Sequence, residues 1–118
     1  MKKKDKFCIH LLNYERIMTI FTKEQRIKKA NKHSELRNEE FIFRVIKTIT
    51  HPSFIYEDLD KENRYSYYLE EFKINSRTMY VKVMLLKKKD YFFIITAYRV
   101  DYVKERGKTR LLYGKDEF

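Results

Sequence analysis

Along the chain the hydrophobic positions change their period once, from helical spacing to alternation. Phe7 to Leu12 is a short apolar run whose pattern alone does not decide its type, a strand being one reading. Thr22-Lys23-Glu24-Gln25 has the form of a capping box, in which the Thr22 hydroxyl accepts from the Gln25 amide and the Gln25 side chain reaches back. A polar, basic surface helix is therefore predicted from Lys23 to Lys32, broken or bent by Asn31-Lys32-His33-Ser34. Asn38 is a good N-cap for a second helix, with Glu39 and Glu40 favourably placed in its first turn. Phe41, Ile42, Val45, Ile46 and Ile49 fall on one helical stripe, while Arg44 and Lys47 face away. His51-Pro52 stops this helix, because the residue before a proline disfavours the helical region.

Alternation takes over from there. Phe54-Ile55-Tyr56 reads as a short strand and Asp58 to Asn63 as a turn. Arg64 to Ile74 is rich in strand formers, and Asn75-Ser76-Arg77 is a turn. Thr78 to Leu86 sets Met79, Val81, Val83 and Leu85 against Tyr80, Lys82, Met84 and Leu86. After a turn at Lys87 to Asp90, Tyr91 to Val100 is the strongest strand, apolar on both faces and so expected inside a sheet. A tail hairpin around Arg106-Gly107-Lys108 completes the pattern. The order predicts an α+β fold: N-terminal helices packed on one face of an antiparallel meander sheet of four to five strands. The other face is expected to be a partly open cleft bearing Tyr and Lys. No repeat, linker or composition break interrupts residues 1–118, so the chain reads as one domain with residues 1–6 as a flexible basic tail.

Composition narrows the classes. With 118 residues and 43% hydrophobic content, a continuous core is affordable without disulfides or metals. Only 2 Gly and 1 Pro argue against a loop-dominated fold, and 10 Tyr suit a half-exposed sheet. Cys8 is the only cysteine, which excludes an internal disulfide and a Cys-based zinc site and fits a reducing, cytoplasmic setting. The longest apolar runs are too short to span a bilayer. Met1 to Lys6 resembles the start of a secretory signal, but His10, Asn13, Glu15 and Arg16 interrupt the apolar stretch behind it.

The formal charge is +10, from 27 Lys and Arg against 17 Asp and Glu, which attracts polyanions. Nucleic acid, an acidic protein and an anionic membrane surface all fit; so does plain solvation, since many lysines stand in runs at termini and turns. No phosphate-binding loop, dinucleotide fingerprint or HExxH is present, and His10, His33 and His51 are too scattered for a metal motif. No cofactor or metal is expected. His33 follows Lys28, Lys29 and Lys32, a setting in which a histidine near bound phosphate suits general acid–base work, against the plainer reading of a surface histidine. Lys82 shares a strand face with Tyr80 and Met84, and Thr96 and Tyr98 share one with Ile94. There Lys82 would neutralise a phosphate and Thr96 and Tyr98 would donate to its oxygens, unless the face is merely solvated. Arg64, Tyr65, Tyr67 and Tyr68 combine a cation with rings able to stack on bases, or are ordinary strand packing.

Three features taken together resemble one nuclease family. A polar helix ends in His33-Ser34-Glu35-Leu36, and an amphipathic helix runs into Thr50-His51-Pro52-Ser53-Phe54-Ile55. A meander ends with Met79-Tyr80-Val81-Lys82-Val83 and Phe93-Ile94-Ile95-Thr96-Ala97-Tyr98. These are similar to motifs of the barnase–EndoU–colicin–RelE-like nuclease superfamily, in its small phage and mobile-element branch, over roughly residues 20 to 100. The resemblance implies a metal-independent endoribonuclease of the toxin kind, acting on tRNA or other RNA, with an acidic antitoxin or immunity protein as a further partner. His33 matches the family's helical histidine, Lys82 its basic strand position and Thr96 its strand hydroxyl, with Tyr98 following; Arg64, Tyr68, Arg99, Lys28 and Lys29 are candidate substrate contacts. Two departures stand out. Lys28 and Lys29 occupy the region of a second histidine that many relatives carry, and Ser34 replaces the proline after the histidine. The competing classes are a non-catalytic RNA- or DNA-binding module and a partner-binding protein. A membrane-surface protein fits less well, because the Lys23 to Lys32 helix lacks a large apolar face.

Overall fold

The computed structural model describes residues 6–103 and 107–114; most of the expected basic tail, and Arg106 of the expected tail hairpin, lie outside these. Two strands come first, β1 (Phe7–Leu12) and β2 (Met18–Thr22), followed by α1 (Lys23–Ala30), a 3-10 turn (Ser34–Arg37) and α2 (Glu39–Thr50). Five strands follow: β3 (Phe54–Asp58), β4 (Arg64–Ile74), β5 (Arg77–Lys87), β6 (Phe92–Val100) and β7 (Thr109–Tyr113). All seven strands form one sheet in the order β1-β2-β6-β5-β4-β3-β7.

The expected architecture is corrected here. The α+β class stands, but the sheet is not a four- to five-stranded antiparallel meander with helices at its N-terminal end. A β1–β2 hairpin precedes the helices, β2 runs parallel to β6, and β7 closes the far edge against β3. Met18 to Thr22 alternates as a strand does, with Thr19 and Phe21 buried, yet its partner β6 lies about 70 residues away in sequence, beyond any local pattern.

Local chemistry explains the helices. Asn38 caps α2 through its side-chain oxygen, which accepts from the backbone of Glu40 at 2.7 Å and of Phe41 at 3.3 Å. Phe41, Ile42, Val45 and Ile49 are buried as the stripe requires. They share a core with Tyr67 and Leu69 of β4, Val81, Val83 and Leu85 of β5, and Ile94 and Ala97 of β6. Each Val, Leu, Ile or Phe side chain among these contributes about 1.5–3 kcal/mol relative to exposure. Only half of the expected capping box forms at α1. Thr22 accepts from the Gln25 amide at 3.0 Å, but the Gln25 side chain donates to the carbonyl of Ile95 at 2.7 Å instead of reaching back.

Two bulges decide which side chains face α2. In β6, Met84 pairs with Thr96 while Leu85 pairs with Ile94, so Ile95 is an extra residue. The bulge separates Ile94 from Thr96 and Tyr98, correcting the expectation that all three share a face. Ile94 joins the core, while Thr96 and Tyr98 stand on the opposite face beside Met84 and Lys82. In β4 the register jumps from Glu70 to Phe72, and the extra Glu71 aims its carboxylate at Arg44 (2.7 Å) and Arg99 (2.9 Å). Among the described residues no helix is long and apolar enough to cross a membrane.

Candidate functional site

The face away from α2 carries one side chain from every second residue of the central strands. Register places Tyr68, Lys82 and Tyr98 in a row across β4, β5 and β6. The Lys82 ammonium lies 5.4 Å from the centre of the Tyr68 ring, within cation–π range. At the end of the row the His33 imidazole stacks on Tyr98, with ring centres 4.2 Å apart and planes 11° from parallel.

His33 reaches this face because the chain after α1 runs along the edge of β6. β2 pairs with β6 only at Thr19–Phe92 and Ile20–Phe93, and then the chain turns into α1. Beyond that point β6 has α1 and the 3-10 turn beside it, with Gln25 on the Ile95 carbonyl and the Glu35 carboxylate accepting from the Arg99 backbone at 2.9 Å. His33 is held through its backbone: its N–H donates to the Lys29 carbonyl at 2.9 Å and its own carbonyl accepts from Leu36 at 3.1 Å.

The electrostatics of His33 favour a neutral ring. Burial pushes its pKa below the ordinary histidine value; Glu35 pulls it up, and Lys32 and Lys29 push it further down. With an ordinary value of about 6.5, the lowered imidazole is unprotonated at neutral pH and available as a base.

Thr96 adds an unusual feature. Its hydroxyl is buried and has no hydrogen-bond partner among the described residues. A buried hydroxyl without a partner costs about 1–3 kcal/mol, so such groups are rare in native cores. It sits across from Met84, toward which the Tyr98 hydroxyl also points, with a long 3.9 Å contact to the sulfur.

The structure therefore brings His33, Lys82, Thr96 and Tyr98 to one face. Arg64 is on the same face, opposite Leu86, four residues along β4 from Tyr68. Tyr68 is also on it but is 0% exposed, which corrects its expected role: a ring with no free surface cannot stack on a base. Arg99 is not part of this face. Following Tyr98 by one residue, it points the other way, bonds Glu71 and lies 4.9 Å from the centre of the Phe41 ring. The alternation of β6 already implied this. Lys28 is exposed in the last turn of α1, and Lys29 is half-buried beside the start of the His33 turn.

Sequence reasoning missed Gln25 and Glu35 as edge partners of β6. The unspent Glu35 in a polar turn was the only local signal. Two concavities among the described residues lie away from the face. One, of about 790 Å³, lies at the far end of β5 and β6, between Ile74, Arg77, Met79 and Tyr102. The other, of about 360 Å³, lies between Cys8, Arg26, Ile27 and Leu36. The candidate site is a partly buried sheet surface, with His33, Lys82 and Tyr98 half-buried and Thr96 buried. Comparison with known protein families, with characterised proteins and with solved structures finds no match for this chain.

Proposed function

We propose that this face binds RNA and cleaves it without a metal ion, by attack of a ribose 2′-oxygen on the adjacent phosphate. The observation that supports it most is the His33–Tyr98 stack, which puts a neutral imidazole beside a phenol in the row that holds Lys82. His33 takes the proton from the 2′-hydroxyl, a role its lowered pKa favours over that of acid. The 2′-oxygen bonds to phosphorus, the bond from phosphorus to the 5′-oxygen breaks, and the Tyr98 hydroxyl protonates the leaving oxygen. Lys82 offsets the charge that develops on the phosphate. Thr96 presents a buried hydroxyl that has no partner among the described residues. Fitting substrates are RNAs, tRNA among them, in a cytoplasmic setting, and an acidic inhibitor protein would be drawn to the same basic surface.

The test is cleavage of RNA in EDTA by the wild type and by His33→Ala. Wild type should yield 2′,3′-cyclic phosphate and 5′-hydroxyl ends, and His33→Ala should be slower by about 100-fold or more. Equal rates would remove His33 from the mechanism. Salt-sensitive RNA binding with no turnover would instead establish a binding module on the same face.

A further inference from the structure

The catalytic reading leaves unexplained how His33 is held in place. No hydrogen bond fixes its ring nitrogens among the described residues, and its side chain does not cap the 3-10 turn that follows. The ring is fixed by its stack on Tyr98 and by whatever holds the turn to β6.

The edge of β6 supplies that hold. A strand edge exposes backbone groups that need partners. Along β6 two of them are met by side chains: the Ile95 carbonyl by Gln25 and the Arg99 N–H by Glu35. These two bonds bracket Thr96, Ala97 and Tyr98. Glu35 follows His33 by two residues, and Arg99 follows Tyr98 by one, so the Glu35–Arg99 bond joins the two segments right beside the stacked rings. The rest of the turn is anchored separately. Leu36 is 0% exposed and its carbonyl accepts from Arg26 at 2.5 Å. Loss of Glu35 should therefore free the His33 end without unfolding the turn.

We propose that Glu35 is the positioning residue of the site: its carboxylate on the Arg99 N–H holds the His33 turn against β6 and keeps the imidazole on Tyr98. The proposal rests on the nuclease reading only for its effect on cleavage; the placement of the ring is measurable without it. Glu35 also faces His33 as a negative charge, against Lys29 and Lys32 on the same segment. Tyr98 meets the ring from β6, Lys82 stands across from Tyr98 on β5, and the Arg99 guanidinium lies on the far side of the sheet with Glu71.

The experiment compares wild type, Glu35→Ala and Glu35→Gln by proton NMR of the histidine rings through a pH titration, with RNA cleavage followed in parallel. In the wild type the Tyr98 ring current should shift the His33 ring protons upfield. In Glu35→Ala that shift should collapse toward the position of exposed His51, and kcat should fall by about tenfold to a hundredfold with KM little changed. Gln keeps an acceptor for the Arg99 N–H but not the charge. Glu35→Gln should therefore retain the shift and most of the cleavage, while His33 titrates lower than in the wild type. Retention of the wild-type shift in Glu35→Ala would overturn the proposal. If the shifts behave as expected but no protein cleaves RNA, the positioning role stands and the nuclease reading falls.

Discussion

Tyr98 and Arg99 are neighbours in the chain and belong to opposite faces of the sheet. Arg99 lies over the Phe41 ring and bonds Glu71, a carboxylate that is 3% exposed and also holds Arg44. Tyr98 lies under His33, in line with Lys82 and on the same face as the Thr96 hydroxyl, which has no partner among the described residues. On the covered face charges are matched and desolvated together, which is how buried ions are tolerated. On the other face the buried Thr96 hydroxyl has no partner among the described residues, which costs stability and suits a surface that waits for a ligand. The net charge of +10 is therefore not one property. Some of its cations are structural, and a cation near a candidate site cannot be counted as functional until its face is known.

The largest effect should come from breaking the covered network. Burial pushes the Glu71 carboxyl up, but hydrogen bonds from Arg99 and then Arg44, and their charges, outweigh it and hold the pKa below the ordinary glutamate value. Glu71→Ala leaves two half-buried guanidiniums without their partner and should cost about 2–3 kcal/mol, a fall in Tm of roughly 8–12 °C. Because the folded pKa is depressed, this stabilisation is present in full above the unfolded value, about 4.3, and is lost as pH falls through the lower folded value. Urea unfolding at pH 7 and at pH 3 should thus show the gap between wild type and Glu71→Ala narrowing in acid. A gap that stays constant would mean that the Arg44–Glu71–Arg99 network does not carry the difference.

A smaller effect, of opposite sign, is expected at Thr96. Val has nearly the same shape and lacks the hydroxyl, which has no partner among the described residues, so Thr96→Val should raise stability by about 1 kcal/mol, or roughly 4 °C in Tm. It should also slow RNA cleavage, because the hydroxyl is removed from the proposed phosphate site. Thermal unfolding and cleavage assays on one preparation read both. A loss of stability would show that the hydroxyl is satisfied in solution, and the contrast between the faces would weaken accordingly.

Much of this molecule could be read locally. Asn38, the apolar stripe and Pro52 delimit α2, and the Asn75-Ser76 turn between β4 and β5 has both residues in the left-handed region, at φ 48° and 69°. Strict alternation places Lys82 with Tyr80 and Met84, and it would have moved Arg99 off the site. What escaped was of two kinds. The parallel β2–β6 pairing and the β7–β3 edge join residues distant in sequence, whereas the bulges at Glu71 and Ile95 lie within consecutive hairpins and each insert one residue that strict alternation does not anticipate. A bulge flips every later side chain to the other face, which is why Ile94 and Thr96 part company. The burial of Tyr68 is equally invisible to period, since an outward position reads as exposed until its neighbours Tyr56, Tyr80 and Lys82 are in place.

The smallest change in stability should come from Tyr98→Phe, and it separates the two things Tyr98 offers. Among the described residues the phenol makes only the long contact to the Met84 sulfur, a weak acceptor, so removing it should shift stability by no more than about 0.5 kcal/mol. The ring remains, and with it the stack on His33 and the upfield shift of the imidazole protons. If the hydroxyl protonates the leaving 5′-oxygen, cleavage should nevertheless fall by about 100-fold or more. The rise of cleavage with pH should persist, because its base limb belongs to His33, whose pKa lies below the ordinary value. Tyr98→Leu, which removes the ring as well, should abolish the shift too. A Tyr98→Phe protein as fast as the wild type would reduce Tyr98 to a platform for His33 and oblige some other group to supply the proton.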